Sequence, residues 1–462
     1  MGRRDCPGCR ELRKYIALLE ARIRELEARL GLNASNSSIP PSANPPQAPK
    51  PVVKEPTGRK PGGQPGHQPF QRVRLPPEQI QHTIPLIPNR CERCQAALPV
   101  QPGPNDPEPS WHQIAELPRI AAVITEYQGH ARTCSCCGHV TREEIPETLR
   151  AHVIGERLGA AMSYLAASPH VSKRGVEEVV ETVFAAPLSL GTVVNLEQEM
   201  SQALVTPHAQ AQQDVQQAPV KNVDETSWKQ AGQKRWLWTA ATTRVAYFII
   251  YAGRNASGLA ALLGEKITGV VCSDRFGVYG CLAAAFRQVC WAHLKRDFQK
   301  VLDRGGPNQD LGEAGLAIVS LVFHWWHAYR GGTISRKTLQ REVEPLRENL
   351  QWCLEEGRAC ADAQTAAFCQ NLLDIEPALW TFLYKRGVEP TNNHAERMLR
   401  SGVLWRKISF GCHSAAGCRF VERILTVTQT LRLQKRPVLD YLHQALVAHR
   451  ANLPAPDLLP VR

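Results

Sequence analysis

Three stretches between residues 218 and 254 decide the fold, and they read "APVKNVDETSW" (218–228), "RWLWTAATT" (235–243) and "VAYFIIYAGR" (245–254). Each is rich in β-branched and aromatic residues, and only short connections separate them, which predicts three consecutive strands. The following "ASGLAALLGEK" (256–266) predicts a helix, and "ITGVVCSD" (267–274) predicts a buried strand. A further strand is expected in "RQVCWAHL" (287–294). Elements in this order predict an α/β domain.

This domain belongs to a longer chain, because 462 residues exceed one ordinary hydrophobic core. Three antiparallel strands followed by helix–strand units predict a fold of the ribonuclease-H type over residues 218–298 and 386–425. The helical pattern of residues 299–385 predicts a helical insertion between these two parts. C-terminal helices and a tail are expected at 426–462. The predicted fold class is therefore multidomain α/β.

The charge balance narrows the class of partner. A formal net charge of +12 and a pI near 9.1 favour a polyanionic partner, with nucleic acid the leading candidate. No apolar h-region follows "MGRRDCPGCRELRKY", and the apolar run "GLAIVSLVFHWWHAY" (315–329) is too short to span a bilayer. We therefore expect a cytoplasmic protein with no membrane partner. Fifteen cysteines in a reducing compartment indicate metal ligands and free thiols rather than disulfides.

Residues 1–74 predict a helix and a linker. Residues 1–32 are expected to form an amphipathic helix, because apolar residues recur at heptad spacing, at Leu12, Ile16, Leu19, Ile23, Leu26 and Leu30. This seam is short, so a coiled-coil dimer and a helix packed on its own chain are both open interpretations. Residues 33–74 are rich in Pro, Gly and Ser and are basic, which predicts a linker, either solvated or laid along a DNA groove.

Residues 75–147 predict a zinc-binding β module. Two Cys-x-x-Cys pairs each offer two thiolates from one tight turn, and zinc takes four such ligands in a tetrahedron. The predicted ligands are Cys91, Cys94, Cys134 and Cys137. Cys136 is an alternative to either of its neighbouring ligands, and "IAELPRIAAVITEYQGHART" (114–133) is strand-like. Cys6 and Cys9 form a third pair, which belongs to another metal site, bridges a dimer or is idle.

Residues 148–210 predict a helical DNA-binding region. The segment "VSKRGVEEVVETVFAAPLSLGTVVNLEQEM" (171–200) contains a helix, a break at Ala186–Pro187 and a second helix capped by Ser189, which is a helix-turn-helix pattern. Helical hairpins also occur in proteins that do not bind DNA, so the pattern alone leaves the function open. In a recognition helix the N-terminal residues contact bases, and an amide side chain can pair with adenine. The candidate DNA contacts are Ser189, Thr192 and Asn195.

Two aspartates lie at the ends of predicted strands, Asp224 and Asp274. Carboxylates at neighbouring strand ends can hold hard divalent cations, and Glu396 in "PTNNHAERMLR" (390–400) would complete a two-metal site. Each residue has a simpler interpretation, because aspartate is common in turns and Asn393 with Glu396 matches a capping box. The joint order of strand aspartate, strand aspartate and helix glutamate favours the metal site.

Several segments closely resemble the DDE transposases of the insertion-sequence-66 family. They are "VDETSWK" (223–229), "CSDRFGVYG" (272–280), "RQVCWAHLKRDF" (287–298), "PTNNHAERMLR" (390–400) and "WRKISFGCHSAAGCRFVERILT" (405–426). The upstream "NASNSSIPPS" (33–42), "GRKPGGQPGH" (58–67) and paired cysteines are similar to the N-terminal region of that family. Many relatives carry Asp where this chain has Thr391, and Gly-Tyr where it has Arg275–Phe276, which leaves the catalytic positions themselves in place.

The resemblance implies an enzyme that cleaves and joins DNA strands at the ends of an insertion sequence. It implies catalytic Asp224, Asp274 and Glu396 with Mg²⁺ or Mn²⁺, a structural Zn²⁺, and phosphate contacts from Arg397, Arg400, Arg406 and Lys407. Element-end and target DNA are the implied partners, with a homo-oligomer, accessory proteins and a place on the bacterial nucleoid as further expectations. The alternatives are a zinc-containing helix-turn-helix regulator with an inactive ribonuclease-H-like domain, and a nuclease that only hydrolyses DNA.

The pair Cys290 and His293 has three interpretations. Its spacing matches half of a zinc site, but the segment that carries it follows the strand of Asp274, so a position near the active centre is also expected. A simple buried pair is the third interpretation.

Overall fold

The computed structural model describes residues 73–118, 120–167 and 170–459. The predicted N-terminal helix, almost all of the predicted linker and the Cys6–Cys9 pair lie outside these residues. Contacts divide the described chain into a larger unit that begins at Ala122 and a smaller unit that ends at Ala121. The predicted zinc module at 75–147 therefore extends over both units.

The smaller unit has little regular structure. A 3-10 turn spans Pro77–Gln79, and an isolated antiparallel bridge joins Arg90 to Ala97 on either side of the first cysteine pair. Gln113 Nε2 donates to the carbonyl of Leu75 at 3.1 Å. Most side chains in this unit are exposed, so local hydrogen bonds contribute more to its structure than a buried apolar core does.

The larger unit begins with a two-stranded antiparallel sheet, β1 (Ala131–Thr133) and β2 (Val140–Arg142), around the second cysteine pair. The strand-like segment 114–133 was expected to form strand, but among its described residues only β1 does so. Val123 and Ile124 are 93% and 76% exposed, so these apolar side chains pack against no sheet or helix among the described residues. The β content expected for this module is therefore corrected to one short hairpin.

Five helices follow the hairpin. They are α1 (Glu147–Arg150), α2 (Glu156–Ala167), α3 (Lys173–Phe184), α4 (Leu190–Ala203) and α5 (Val205–Gln217). The predicted break between α3 and α4 is confirmed, because α3 ends at Ala185 in the left-handed conformation and α4 is capped by Ser189, whose Oγ accepts from the Thr192 amide. The apolar faces of α2, α3 and α4 pack together.

A five-stranded mixed sheet forms the centre of the larger unit. Its strands are β3 (Val220–Gln230), β4 (Gln233–Ala241), β5 (Ala246–Tyr251), β6 (Val270–Ser273) and β7 (Arg287–Val289), with α6 (Ala256–Leu263) between β5 and β6. The spatial order is β5-β4-β3-β6-β7; β3 is antiparallel to β4 and parallel to β6, and β6 is parallel to β7. All five strands match the sequence-based predictions, although β7 is short because a helix begins at Trp291.

Helices fill the chain between β7 and the last part of the site. They are α7 (Trp291–Arg304), α8 (Gln309–Arg330), α9 (Arg336–Arg358), α10 (Ala363–Asp374) and α11 (Thr381–Tyr384). They bury a separate apolar cluster that includes Trp291, Trp326 and Trp380. The helical pattern predicted for residues 299–385 is confirmed. Within the described residues, no helix combines the length and apolar character needed to cross a membrane.

Three final helices complete the larger unit, α12 (Asn393–Ser409), α13 (Ala415–Leu433) and α14 (Val438–Arg450). Helix α13 packs on β5 and α5, and α14 packs on α2 and α4. The domain boundary predicted between 425 and 426 falls inside α13. The C-terminal helices share one core with the helices before the sheet, because apolar residues of α13 and α14 belong to the same buried cluster as those of the earlier helices.

Candidate active site

The three predicted acidic residues converge at the middle of the sheet. Asp224 lies on β3, Asp274 follows β6 directly, and the parallel register pairs Val220 with Val270. Continuing this register by four residues brings Asp274 beside Asp224. Glu396 lies in the first turn of α12, which packs across β3 and β4. Two adjacent strands and one helix therefore supply the three carboxylates.

The electrostatics of Asp224 reflect this convergence. Burial raises the pKa of Asp224 well above its ordinary value, and the negative charges of Glu225, Asp274 and Glu396 raise it further. The Glu225 amide donates to Asp224 Oδ1 at 2.9 Å and acts in the opposite direction. Carboxylates held this close repel one another when ionised. A site of this kind is suited to divalent cations, because they neutralise the repulsion and prefer oxygen ligands.

Helix α12 is held in place by Asn392. The Asn392 side chain donates to the Val223 carbonyl at 2.7 Å and accepts from Asn222 Nδ2 at 3.1 Å. It makes no cap bond to the helix, and Asn393 is already the first helical residue. The capping-box interpretation of Asn393 and Glu396 is therefore wrong. Further along, a Cβ at Gly402 would collide with the Leu237 side chain, so glycine allows α12 to approach β4 closely.

Glu396 faces a cleft of about 500 Å³. The cleft is lined by acidic and basic side chains from β3, α7 and α12, among them Asp224, His293, Arg296, Lys300, Glu396 and Arg400. Lys300 also pairs with Asp297, which accepts from Arg275 Nε at 3.0 Å. Cations therefore border the acidic cluster on the side of α7 and on one face of α12. This arrangement suits a phosphodiester that approaches the carboxylates.

The pair Cys290 and His293 reaches the active centre, as one of its three interpretations predicted. Ligand atoms of Cys290, His293 and Glu396 all lie within 4.8 Å of one another. Burial raises the pKa of the Cys290 thiol to about 12, and its Sγ accepts from the Asn392 amide at 3.1 Å. Burial lowers the pKa of His293. The neutral thiol of Cys290 and the neutral imidazole of His293 therefore lie next to the Glu396 carboxylate.

One buried network beside the site was not predicted from the sequence. Glu225 accepts from Arg254 Nε at 2.6 Å and from the Tyr279 hydroxyl, and Arg254 Nη2 lies 3.9 Å from Asp274 Oδ2. The Arg254 guanidinium stacks over the Phe276 ring, 3.6 Å from its centroid. Arg254 therefore joins the strand of Asp224 to the loop of Asp274. Only the acidic Glu225 beside Asp224 could have drawn attention to this network in the sequence.

The four predicted phosphate contacts do not lie together. Arg400 lines the cleft, whereas Arg397 points to a separate cavity and Lys407 is exposed. Arg406 Nη1 donates to Thr226 Oγ1 at 2.9 Å and to Ser227 Oγ at 2.6 Å, so this guanidinium already ties α12 to β3. Arg400 is the member of this group that lines the same cleft as Asp224 and Glu396.

In the predicted recognition helix, the capping residues differ from the exposed residue that could contact DNA. Ser189 Oγ and Thr192 Oγ1 lie 2.9 Å apart and form the cap of α4. Asn195 is exposed, while Val193 and Leu196 on the other side of the helix are buried. Asn195 is therefore free to contact a partner, and Ser189 and Thr192 also have a structural role.

Each cysteine pair forms a tight turn of its own. The Cys91 amide donates to Ala96 and the Cys134 amide donates to His139, at 2.9 and 2.8 Å. Backbone amides of the second cysteine in each pair lower the pKa of the Cys91 and Cys134 thiols. Turns that stabilise thiolates suit metal ligation. The zinc site itself stays a prediction.

Fold and site together define a mixed α/β protein with a carboxylate cluster on its two central parallel strands. Residues 152–419 match the family described as "Transposase IS66 family", which is more than half of the chain. The chain therefore belongs to the IS66 transposase family. Residues 9–72, outside the described part, match a family of unknown function (DUF6444).

A curated relative carries no functional description. It is an uncharacterized protein, y4qI, of Sinorhizobium fredii, 28% identical over 250 residues. The match covers 49% of this chain and 46% of that protein, so the chain spans about half the length of this relative.

Proposed function

We propose that this protein is a DDE-type DNA transposase that cleaves the ends of an insertion sequence and joins them to target DNA. The observation that carries the proposal is the convergence of Asp224, Asp274 and Glu396 from β3, β6 and α12. The strand order β5-β4-β3-β6-β7, with antiparallel pairing confined to β5, β4 and β3, supports the ribonuclease-H-like fold that this chemistry requires. The helices between β7 and α12 are then the insertion in that fold.

The residues present fit two Mg²⁺ or Mn²⁺ ions. Glu396 Oε1 is buried without a hydrogen-bond partner among the described residues, and Asp224 is crowded by other carboxylates. Asp224, Asp274 and Glu396 would hold the ions. When bound, such ions activate the attacking water or 3′-hydroxyl and stabilise the leaving oxygen.

The protein side chains position the DNA. Arg400, Arg296 and Lys300 line the cleft and hold the phosphates next to the scissile bond. Arg254 fixes the loop of Asp274 relative to Glu225, and Asn392 fixes α12 relative to β3. These contacts are made before DNA arrives, so the site pays little reorganisation cost when it reacts.

The remaining parts serve DNA binding. Helices α3 and α4 act as the helix-turn-helix, with Asn195 reading a base. The cysteine pairs bind zinc, and a homo-oligomer brings two element ends together, with accessory proteins where needed. Transposition takes place on the bacterial nucleoid in the cytoplasm.

The decisive test uses conservative substitutions of each carboxylate. Asp224→Asn, Asp274→Asn and Glu396→Gln should each abolish strand cleavage and strand transfer in Mg²⁺, while DNA binding in Ca²⁺ is kept. Glu313→Gln, on the exposed side of α8, serves as the matched control and should retain activity. Cleavage by Glu396→Gln at the rate of the unmodified protein would move the protein to the alternative of a DNA-binding regulator. Cut DNA without joined product would indicate a nuclease.

A further inference from the structure

A second cavity, of about 350 Å³, adjoins the catalytic cleft. We call it the arginine pocket, because Arg244, Arg386 and Arg397 line it. Asn222, which also lines it, precedes Asp224 by two residues and so lies about 7 Å from it along the strand. On α12, Arg397 faces the pocket while Glu396 faces the cleft. The first turn of one helix therefore separates the two spaces.

The three arginines come from separate parts of the fold. Arg244 lies in the turn between β4 and β5, Arg386 follows α11, and Arg397 is on α12. All three are exposed, and none of their guanidinium groups has a hydrogen bond or ion pair within the part of the chain that the structure describes. Other arginines of the unit do have such partners: Arg347 pairs with Glu376 and Arg450 with Glu199. The pocket thus gathers three cations that have no partner among the described residues.

The acidic and aromatic residues in the lining of the arginine pocket limit the class of ligand that it can bind. Glu389 in the wall is paired with Arg330, and His394 Nε2 lies 2.6 Å from the Thr242 carbonyl. Asp214 is the other acid in the wall. The lining residues include no Trp, Tyr or Phe on which a base could stack. Guanidinium groups are planar forks that match phosphate oxygens. The lining therefore fits backbone phosphates better than a nucleoside.

We propose that the arginine pocket binds the DNA backbone about one nucleotide from the phosphate held at Asp224, Asp274 and Glu396. The separation of about 7 Å between Asn222 and Asp224 is close to the distance between successive phosphates of one strand. This inference rests on the proposed function and adds to it a site for the strand that continues past the cleft. Cations facing a concave space raise the local potential and draw a polyanion into it.

The salt dependence of DNA binding tests the pocket without any chemistry. Binding of duplex DNA is measured in Ca²⁺ for the unmodified protein, for Arg244→Gln, Arg386→Gln and their double variant, and for Arg358→Gln as the matched control. Arg358 is exposed at the end of α9, away from both cavities. Each lost phosphate contact should reduce the slope of log K against log salt by about 0.9. The double variant should lose about 1.8, and the control should lose nothing.

A second measurement places the contact on the DNA. The cleaved position is mapped with the unmodified protein, and single phosphates near it are replaced by neutral methylphosphonates. Replacement one nucleotide from the cleaved position should weaken binding by the unmodified protein and leave the double variant unaffected. Equal weakening in both proteins, or unchanged salt slopes, would overturn the proposal.

Titration with inorganic phosphate separates a DNA site from a site for free anions. Binding of inorganic phosphate that is lost in the double variant, together with an unchanged DNA salt slope, would also refute the proposal. The salt slope is measured without cleavage. If the unmodified protein binds DNA but does not cleave it, and the variants show a reduced slope, the pocket is supported and only the proposed chemistry is rejected.

Discussion

His293 Nδ1 lies 3.5 Å from Glu396 Oε1, and neither atom has a hydrogen-bond partner among the described residues. Both atoms are buried. We infer that His293 orients the Glu396 carboxylate toward the cleft, as groups behind a metal ligand commonly do.

This relationship predicts a graded effect of substitution at His293. His293→Ala should slow cleavage about 10- to 100-fold and raise the Mg²⁺ concentration needed for half-maximal rate, because Glu396 loses its orienting partner. His293→Asn should recover part of the rate, since its amide nitrogen can take the place of Nδ1. DNA binding in Ca²⁺ should be unchanged in both. A His293→Ala protein with normal rate and normal Mg²⁺ dependence would exclude the role.

Arg254 and Glu225 should be strongly coupled in stability. Glu225 is almost completely buried, with a side chain that is 1% exposed, and Arg254 is its cationic partner. Arg254→Met should destabilise the fold by about 3 kcal/mol, because it leaves a buried carboxylate uncompensated. The double variant with Glu225→Gln should recover most of that loss. Urea unfolding of the four proteins measures the coupling, and additive effects of the two substitutions would contradict it.

Asn195 should affect the sequence specificity of DNA binding more than its affinity. Asn195→Ala should relax discrimination at one base pair by about 1–3 kcal/mol and leave non-specific affinity nearly unchanged. Gln198→Ala, exposed about one turn further along α4, is the matched control. Selection from a randomised pool of duplexes reads the preference of each protein. An identical preferred sequence for the Asn195→Ala and unmodified proteins would assign base reading to another segment.

His208 should make the fold sensitive to acid. The pKa of His208 is lowered to about 4, mainly by burial and also by the charge of Arg423, against the opposing effect of the hydrogen bond to the Phe248 carbonyl. The unfolded ring titrates near 6.5, so the unfolded chain takes up a proton first as the pH falls. The stability that the neutral ring contributes is therefore complete above pH 6.5 and is lost progressively toward pH 4.

The size of this effect can be measured directly. Between pH 7 and pH 5 the unmodified protein should lose about 2 kcal/mol of unfolding free energy that His208→Gln does not lose. Unfolding at both pH values, in both proteins, measures the difference. Equal losses in the two proteins would mean that His208 does not carry the acid sensitivity.

The strands and the three acidic positions could be predicted because their signals are local. Buried and half-buried residues alternate along most of β3, whereas β4 and β5 contain continuous buried runs. Asp274 directly follows β6, as predicted, but Asp224 lies within β3 and not at the strand end where the sequence predicted it. The helix pair α3 and α4 was also predictable, because Pro187 is a local stop signal and Ser189 is a local start signal. The family resemblance added the link between these positions and Glu396.

Two features that the sequence did not show share a physical cause. The segment 114–133 has β-branched residues in a strand-like pattern, but a strand needs a partner, and among its described residues only Ala131–Thr133 has one. Arg406 stays a predicted phosphate contact, but its guanidinium already bonds to Thr226 and Ser227. Charge and periodicity in a sequence do not reveal which groups the folded chain has already paired.

By itself the sequence determined the order of strands and helices, the residue types at the site and the basic character of the chain, because each depends on near neighbours or on composition. Only the tertiary structure decided that Arg254 joins Glu225 to Asp274, that Asn392 rather than a capping box holds α12, and that Arg397 and Arg400 face different cavities. These contacts join residues far apart in the chain, and burial sets their strength. Such contacts exist only after the sheet and helices have packed.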